Sequence, residues 1–158
     1  MERPAEAAPT MEKILYAFNA GTTKDGCAPA AALTNVNGVL FGTTQSGGAN
    51  GAGTIFSITT AGVEKIVHSF SPSTEGGTPM AGLVVVNGKL YGTTSVGGSA
   101  KGGKPLGGVI NVNGTFYGTT ETGGAHALGT VYSVTTSRVE KVSTALKRIR
   151  MAAFQPAI

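Results

Sequence analysis

The chain contains no tryptophan, a single cysteine and only 13% charged residues, and each shortage removes a class of protein from consideration. A lone Cys27 excludes an internal disulfide and any cluster of thiolate metal ligands. Apolar runs such as Leu83-Val84-Val85-Val86 stop far short of the ~18 residues that a membrane-crossing helix requires. The first ten residues, MERPAEAAPT, carry acids and prolines where a signal peptide has a basic and then an apolar region. They read as a disordered leader, residues 1–10, without an export signal.

The few charges are also unevenly placed. Residues 1–142 hold nine Lys or Arg against eight Asp or Glu, and Lys147, Arg148 and Arg150 supply the other three positive charges of a formal net +4. Nucleic-acid binding needs a basic patch on the folded surface. The body is close to neutral, so no nucleic-acid partner is expected.

What the chain has in excess is glycine, 25 of 158 residues, together with Thr, Ser, Val and Asn. That mixture suits many short strands joined by tight turns and disfavours helix. At 41% hydrophobic residues the chain can still build a core.

Self-similarity organises the rest. "NVNGVLFGTTQSGGANGAGTIFSITTAGVEKIVHSF" (35–70) recurs as "VVNGKLYGTTSVGGSAKGG" (85–103) and as "NVNGTFYGTTETGGAHALGTVYSVTTSRVEKV" (111–142). Gly42-Thr43-Thr44 maps to Gly92-Thr93-Thr94 at an offset of 50, and from there to Gly118-Thr119-Thr120 at 26. Val63-Glu64-Lys65 maps to Val139-Glu140-Lys141 at 76, so the third copy is in register with the first. The second copy therefore lacks 24 residues, the equivalents of residues 54–77, with the gap between Gly103 and Lys104.

A complete unit reads as four strands. "AGLVVV" and "KLYGTT" flank Asn87-Gly88, and Asn-Gly between two β-prone runs predicts a hairpin whose two turn residues have positive φ. The same dipeptide recurs at Asn37-Gly38 and Asn113-Gly114. After a Gly-rich loop, "GTIFSIT" and "EKIVHSF" form a second antiparallel pair across Ala61-Gly62. Tandem four-stranded antiparallel meanders of about 50 residues predict an all-β fold built as the blades of a partial, open β-propeller. Units are expected at about 11–62, 63–103 (truncated) and 104–142, with the least regular structure around residues 101–108.

Strings such as "LFGTTQSGGANGAGTIFSIT", "VEKIVHSF", "DGCAPAAAL" and "LYGTTSVGG" resemble the GloVer tandem repeat of choice-of-anchor bacterial surface proteins. The resemblance spans roughly residues 12–142. It implies a many-unit repeat protein at the cell surface or outside the cell, and it carries no catalytic residues or cofactor to this chain.

Beyond Val142 the repeat stops and the chain reads "STALKRIRMAAFQPAI". One set of codons for this segment, read from the third base, yields Tyr-Ser-Phe-Lys-Ala-Asp-Pro-Asp-Gly-Cys-Phe-Pro-Ala, which restores the repeat. Residues 143–158 are accordingly expected to be a non-native, frame-shifted basic tail outside the fold.

Candidate sites are sparse. The recurrent hydroxyls of Thr43, Thr44, Thr93, Thr94, Thr119 and Thr120 fall at one place in each unit and could line a ligand surface. The competing reading, that Thr is a strand residue whose hydroxyl satisfies nearby backbone, is preferred. The loop at residues 47–51 is glycine-rich but lacks the Lys-Ser/Thr and helix of a phosphate cradle. His68 and His126 occupy different repeat positions, and no recurrent carboxylate is evident beside either. Asp25 reads as a turn residue rather than a Ca²⁺ ligand, and Cys27 lacks a basic neighbour that would make it a nucleophile. No metal, cofactor or catalytic residue is expected.

The leading functional reading is a non-enzymatic repeat scaffold, part of a surface propeller used for binding or adhesion to a carbohydrate or protein ligand. A propeller-based hydrolase or lyase is the alternative from another class, and a non-functional remnant of a larger repeat gene is a third. An enzyme requires blade-specific His, Asp, Glu or Arg in the loops, where this chain has mostly Ala, Ser, Asn and Gly, with Glu121 and His126 as exceptions. Open blade faces are further expected to make the isolated chain self-associate.

Overall fold

The computed structural model describes residues 12–19, 25–97, 103–124, 126–135, 140–141 and 152–154. These form an all-β structure of antiparallel sheets, none of them closed into a barrel, and no helix occurs among the described residues. Residues 1–11, 98–102 and most of the tail lie outside the described residues, and so do the expectations placed on them.

The first sheet contains β1 (Gly26–Pro29), β2 (Thr34–Val36), β3 (Val39–Gly47), β4 (Thr54–Thr59) and β5 (Glu64–Ser69). Strands β2 to β5 form the expected meander. The long β3 also takes β1 on the same side as β2, pairing Cys27 with Ser46 while β2 pairs Asn35 with Leu40. Because β5 pairs with β4, the first sheet runs on to Ser69. This corrects the expected boundary near residue 62: a fourth strand belongs with the third strand to which it hydrogen-bonds.

The third copy is a regular meander of β8 (Ile110–Val112), β9 (Thr115–Thr120), β10 (Thr130–Thr135) and β11 (Glu140–Lys141). Lys104 takes the place of Thr78, as the gap alignment requires: the Glu121 N–H donates to the Lys104 carbonyl and the Ser95 N–H to that of Thr78.

All three Asn-Gly dipeptides form the turns their sequence calls for, with φ of 50° and 85° at Asn37-Gly38, 51° and 71° at Asn87-Gly88, and 50° and 80° at Asn113-Gly114. Asn tolerates the left-handed region and Gly enters it without penalty. In the first and third copies an Asn two residues before the turn, Asn35 or Asn111, accepts the turn glycine's N–H on its side chain.

Between them, the second copy keeps β6 (Val84–Val86) and β7 (Lys89–Gly92), and an isolated bridge of Gly77 to Val96 stands where β1 meets β3 in the first. Its third-strand position is not empty. In the first sheet Phe56, Ser57 and Ile58 pair with Gly42, Phe41 and Leu40. In the second, β12 (Ala152–Phe154) pairs Ala152 with Gly92, Ala153 with Tyr91 and Phe154 with Leu90, the same register. Three residues of the tail, expected to lie outside the fold, thus occupy the slot left by the missing block. The physical reason is the edge of β7, whose row of N–H and C=O groups otherwise has no partner.

Consecutive sheets pack face to face. One face of the first, carrying Phe41 and Ile55, meets Leu83 and Leu90 of the second. The second's opposite face, with Tyr91, Val84 and Val86, meets Val109, Phe116, Tyr132 and Val134 of the third. In "TIFSIT" Ile55 is buried on the face that meets the second sheet, and Phe56 and Ile58 are buried on the other, where Phe18 packs edge-on against Phe56.

The glycines of the first and third Gly-Thr-Thr are required by a side chain from the next strand. A Cβ on Gly42 would lie 2.5 Å from the Phe56 ring and 2.8 Å from Leu33, and one on Gly118 would meet the Tyr132 ring. On Gly92, where the aromatic third strand is missing, a Cβ would meet only the tip of Leu83. Gly42→Ala should therefore cost about 1–3 kcal/mol by overpacking, and Gly92→Ala distinctly less, as read from urea-denaturation midpoints. Equal losses would contradict this packing account.

Candidate functional site

The six recurrent threonines divide into two sets by strand alternation, since neighbouring residues point to opposite faces. Thr43, Thr93 and Thr119 share the face that meets the following unit. The Thr43 hydroxyl donates to the Ala81 carbonyl at 3.2 Å, and the Thr93 hydroxyl to the Gly107 carbonyl at 3.3 Å. Ala81 and Gly107 are equivalent positions, so the same bond ties the first unit to the second and the second to the third. Thr119 is exposed and has no such partner among the described residues.

Thr44, Thr94 and Thr120 make a different contact. Thr44 Oγ1 donates to the Ser46 carbonyl at 2.9 Å and lies 2.8 Å from Thr54 Oγ1. A hydroxyl has one proton, so the Thr54 hydroxyl is the donor of that second bond. Thr120 repeats the pattern with the Thr122 carbonyl and Thr130 Oγ1. In the second copy the partner strand is missing, and the Thr94 hydroxyl reaches the Glu75 carbonyl at 3.5 Å instead. Thr43, Thr44, Thr93 and Thr120 are buried, so their hydroxyls are engaged with protein groups rather than presented to solvent.

A second recurrent feature escaped the sequence reading. Residues 12–18, "EKILYAF", duplicate residues 64–70, "EKIVHSF", and Asp25-Gly26 and Glu75-Gly76 follow, the acid seven residues after Phe18 in one case and five after Phe70 in the other. Asp25 is buried, and its Oδ2 accepts the Tyr16 hydroxyl at 3.0 Å and the Asn19 N–H at 2.8 Å, while its Oδ1 accepts the Gly26 N–H at 2.7 Å. Glu75 Oε1 likewise meets His68 Nε2 at 2.9 Å and accepts the Ser71 N–H at 3.1 Å. Tyr16 corresponds to His68 and Asn19 to Ser71. His68 therefore does sit beside a recurrent carboxylate, contrary to expectation. The alignment was obscured because one copy uses Asp with Tyr and the other Glu with His, a change of residue types that preserves the bond.

This acid clamp pins the end of a fourth strand to the loop that enters the next unit. It also sets the local electrostatics. The hydrogen bond to Asp25 holds the Tyr16 hydroxyl above its usual pKa. Burial, reinforced by the Asp25 charge, raises the Glu64 carboxyl, one oxygen of which is buried without a hydrogen-bond partner among the described residues. Burial alone pushes Tyr132 up to about 12. Asp25 thus serves a turn and clamp role, its carboxylate occupied by three donors. Cys27 lies half-buried in β1 opposite Ser46, and His126 is exposed in the third Gly-rich loop. No group of three or more His, Cys, Asp or Glu capable of holding a metal occurs among the described residues.

A family model described as the Gloeobacter/Verrucomicrobia repeat matches residues 5–104. The chain belongs to that repeat family. The matched span of this Gloeobacter/Verrucomicrobia repeat includes both acid clamps and the first two Gly-Thr-Thr triplets, and the third copy follows it in the chain. No curated protein and no solved structure matches the chain.

The two threonine sets predict different costs on substitution. Thr43→Val leaves the Ala81 carbonyl without its donor and should destabilise by about 1–3 kcal/mol, whereas Thr119→Val, measured at a dilution where the chain is a monomer, should be neutral within ~0.5 kcal/mol, as expected of a surface change. Thermal or urea unfolding of the two variants checks this. A ligand surface built by all six hydroxyls would make Thr119→Val harm binding while leaving stability alone.

Proposed function

We propose that this repeat chain is a non-enzymatic scaffold, an arc of an open propeller in which each sheet is one blade, and that its longer setting presents the blades at a bacterial surface for binding or adhesion. The observation that carries the reading is the equivalence of the Thr43–Ala81 and Thr93–Gly107 bonds. The recurrent residues hold one unit against the next, and the Gly-rich loops are among the positions that vary. Those loops present Ala49 and Asn50 in the first copy and His126, Ala127 and Leu128 in the third. A rigid repeated frame with variable loops is the arrangement binding proteins use to place contacts without chemistry.

The ligand class favoured is a polysaccharide, whose repeating units suit repeated loops bearing short polar side chains. The test is electrophoresis of the protein through gels containing soluble polysaccharides, with the polymer's chain length measured after incubation. The scaffold reading expects retardation on at least one polymer, weakened by Asn50→Ala with His126→Ala, and unchanged chain length. Shortening of the polymer would overturn it in favour of a hydrolase or lyase.

A further inference from the structure

The geometry points to a head-to-tail interface between two copies of this chain, in which the outward face of the third sheet seats against the outward face of the first. It rests on reading the chain as a scaffold of stacked units, and four separate features support it.

The first is the face itself. Ile110, Val112, Tyr117 and Val131 lie on one side of the third sheet, with Ile110 64% and Val131 63% exposed. The equivalents of Tyr117 and Val131 in the first sheet, Phe41 and Ile55, are buried at 5% and 2% because the second unit covers them. The second feature is at the other end. Leu33 is 48% exposed, whereas its equivalents Leu83 and Val109 are buried against the preceding unit. One end of the stack thus presents the face that each unit offers forward; at the other, Leu33 is open while Phe56 and Ile58 are buried, with Phe18 against Phe56, so docking there displaces residues 12–18 from that face.

Third, Thr119 is the one member of the inter-unit set without a carbonyl acceptor among the described residues. Stepping the Ala81 and Gly107 acceptors back by one repeat gives Ala31. The proposed interface places the Thr119 hydroxyl of one copy on the Ala31 carbonyl of the other. Fourth, the receiving face already carries part of a preceding unit. Residues 12–18 have the sequence of a fourth strand and pair with no strand among the described residues, and Phe18 packs edge-on against Phe56 with ring centroids 4.9 Å apart. These residues carry the sequence of an outer strand, and β8, β9 and β10 of a second copy supply three strands to set beside it. On docking, residues 12–18 take over the outer edge of β10 from β11, which holds it through Ser133 and Val134.

The occupant is therefore a second copy, since the faces repeat an interface that the chain already makes twice within itself. The contact is heterologous, so copies form a closed ring if the rotation permits and an open string otherwise.

Light scattering after size-exclusion of the full chain is expected to give an assembly of at least two chains that dissociates on dilution. Val131→Lys and Leu33→Lys, both at already exposed positions, should each yield a monomer with an unchanged β-type circular dichroism spectrum. Mixing the two variants should restore one intact interface and double the mass without growing further, because one supplies a receiving face and the other a forward face. A parent chain that stays monomeric at all concentrations would overturn the proposal. So would assemblies that survive both substitutions, or a mixture that remains monomeric. The polysaccharide assay requires no association, so the scaffold reading and this interface fail separately.

Discussion

Every sheet in this protein has two apolar faces, and that constraint governs the rest. A sheet of three to five short strands cannot bury both sides by itself, so each unit gains its stability by packing on a neighbour. The energies set the hierarchy. A buried Phe, Leu or Ile contributes about 1.5–3 kcal/mol, and several such residues line each inter-sheet layer, while one hydroxyl-to-carbonyl bond contributes about 1 kcal/mol net. Packing of Phe41 and Ile55 on Leu83 and Leu90 therefore holds the sheets together. The Thr43 and Thr93 bonds fix which residue meets which, because a buried carbonyl left without a donor costs more than the bond gains.

The second copy shows how strongly that constraint acts. With its third and fourth strands missing it still lies between two complete neighbours, so β6 and β7 keep both faces covered. What it loses is the partner along the edge of β7, and three tail residues fill that place in the register of the absent strand. Thr94, with no equivalent of Thr54 to donate to it, sends its own hydroxyl proton to the Glu75 carbonyl.

Much of the architecture was legible because local chemistry and repeat agree. Asn-Gly turns demand positive φ at two successive residues, and three copies of the dipeptide marked three hairpins. The four-strand unit and the alignment of Lys104 with Thr78 followed from offsets alone. The Asp25 and Glu75 clamps were hidden because the bond survives while both partners change identity. Strand β12 was invisible for another reason: an edge accepts any extended backbone, so its occupant carries no sequence signature. The threonines could be placed but not assigned by sequence, since only the coordinates distinguish a hydroxyl bonded across units from one bonded within.

The central claim is that consecutive sheets are coupled through their faces, and the layer between the second and third isolates it in a single pair. Tyr91 and Phe116 come from different units with ring centroids 4.5 Å apart. A double-mutant cycle with Tyr91→Leu and Phe116→Leu, read by urea denaturation, measures their coupling directly. Face-to-face packing predicts a coupling energy of about 0.5–1.5 kcal/mol. Strictly additive losses would mean that the units fold without depending on one another, and would contradict the account.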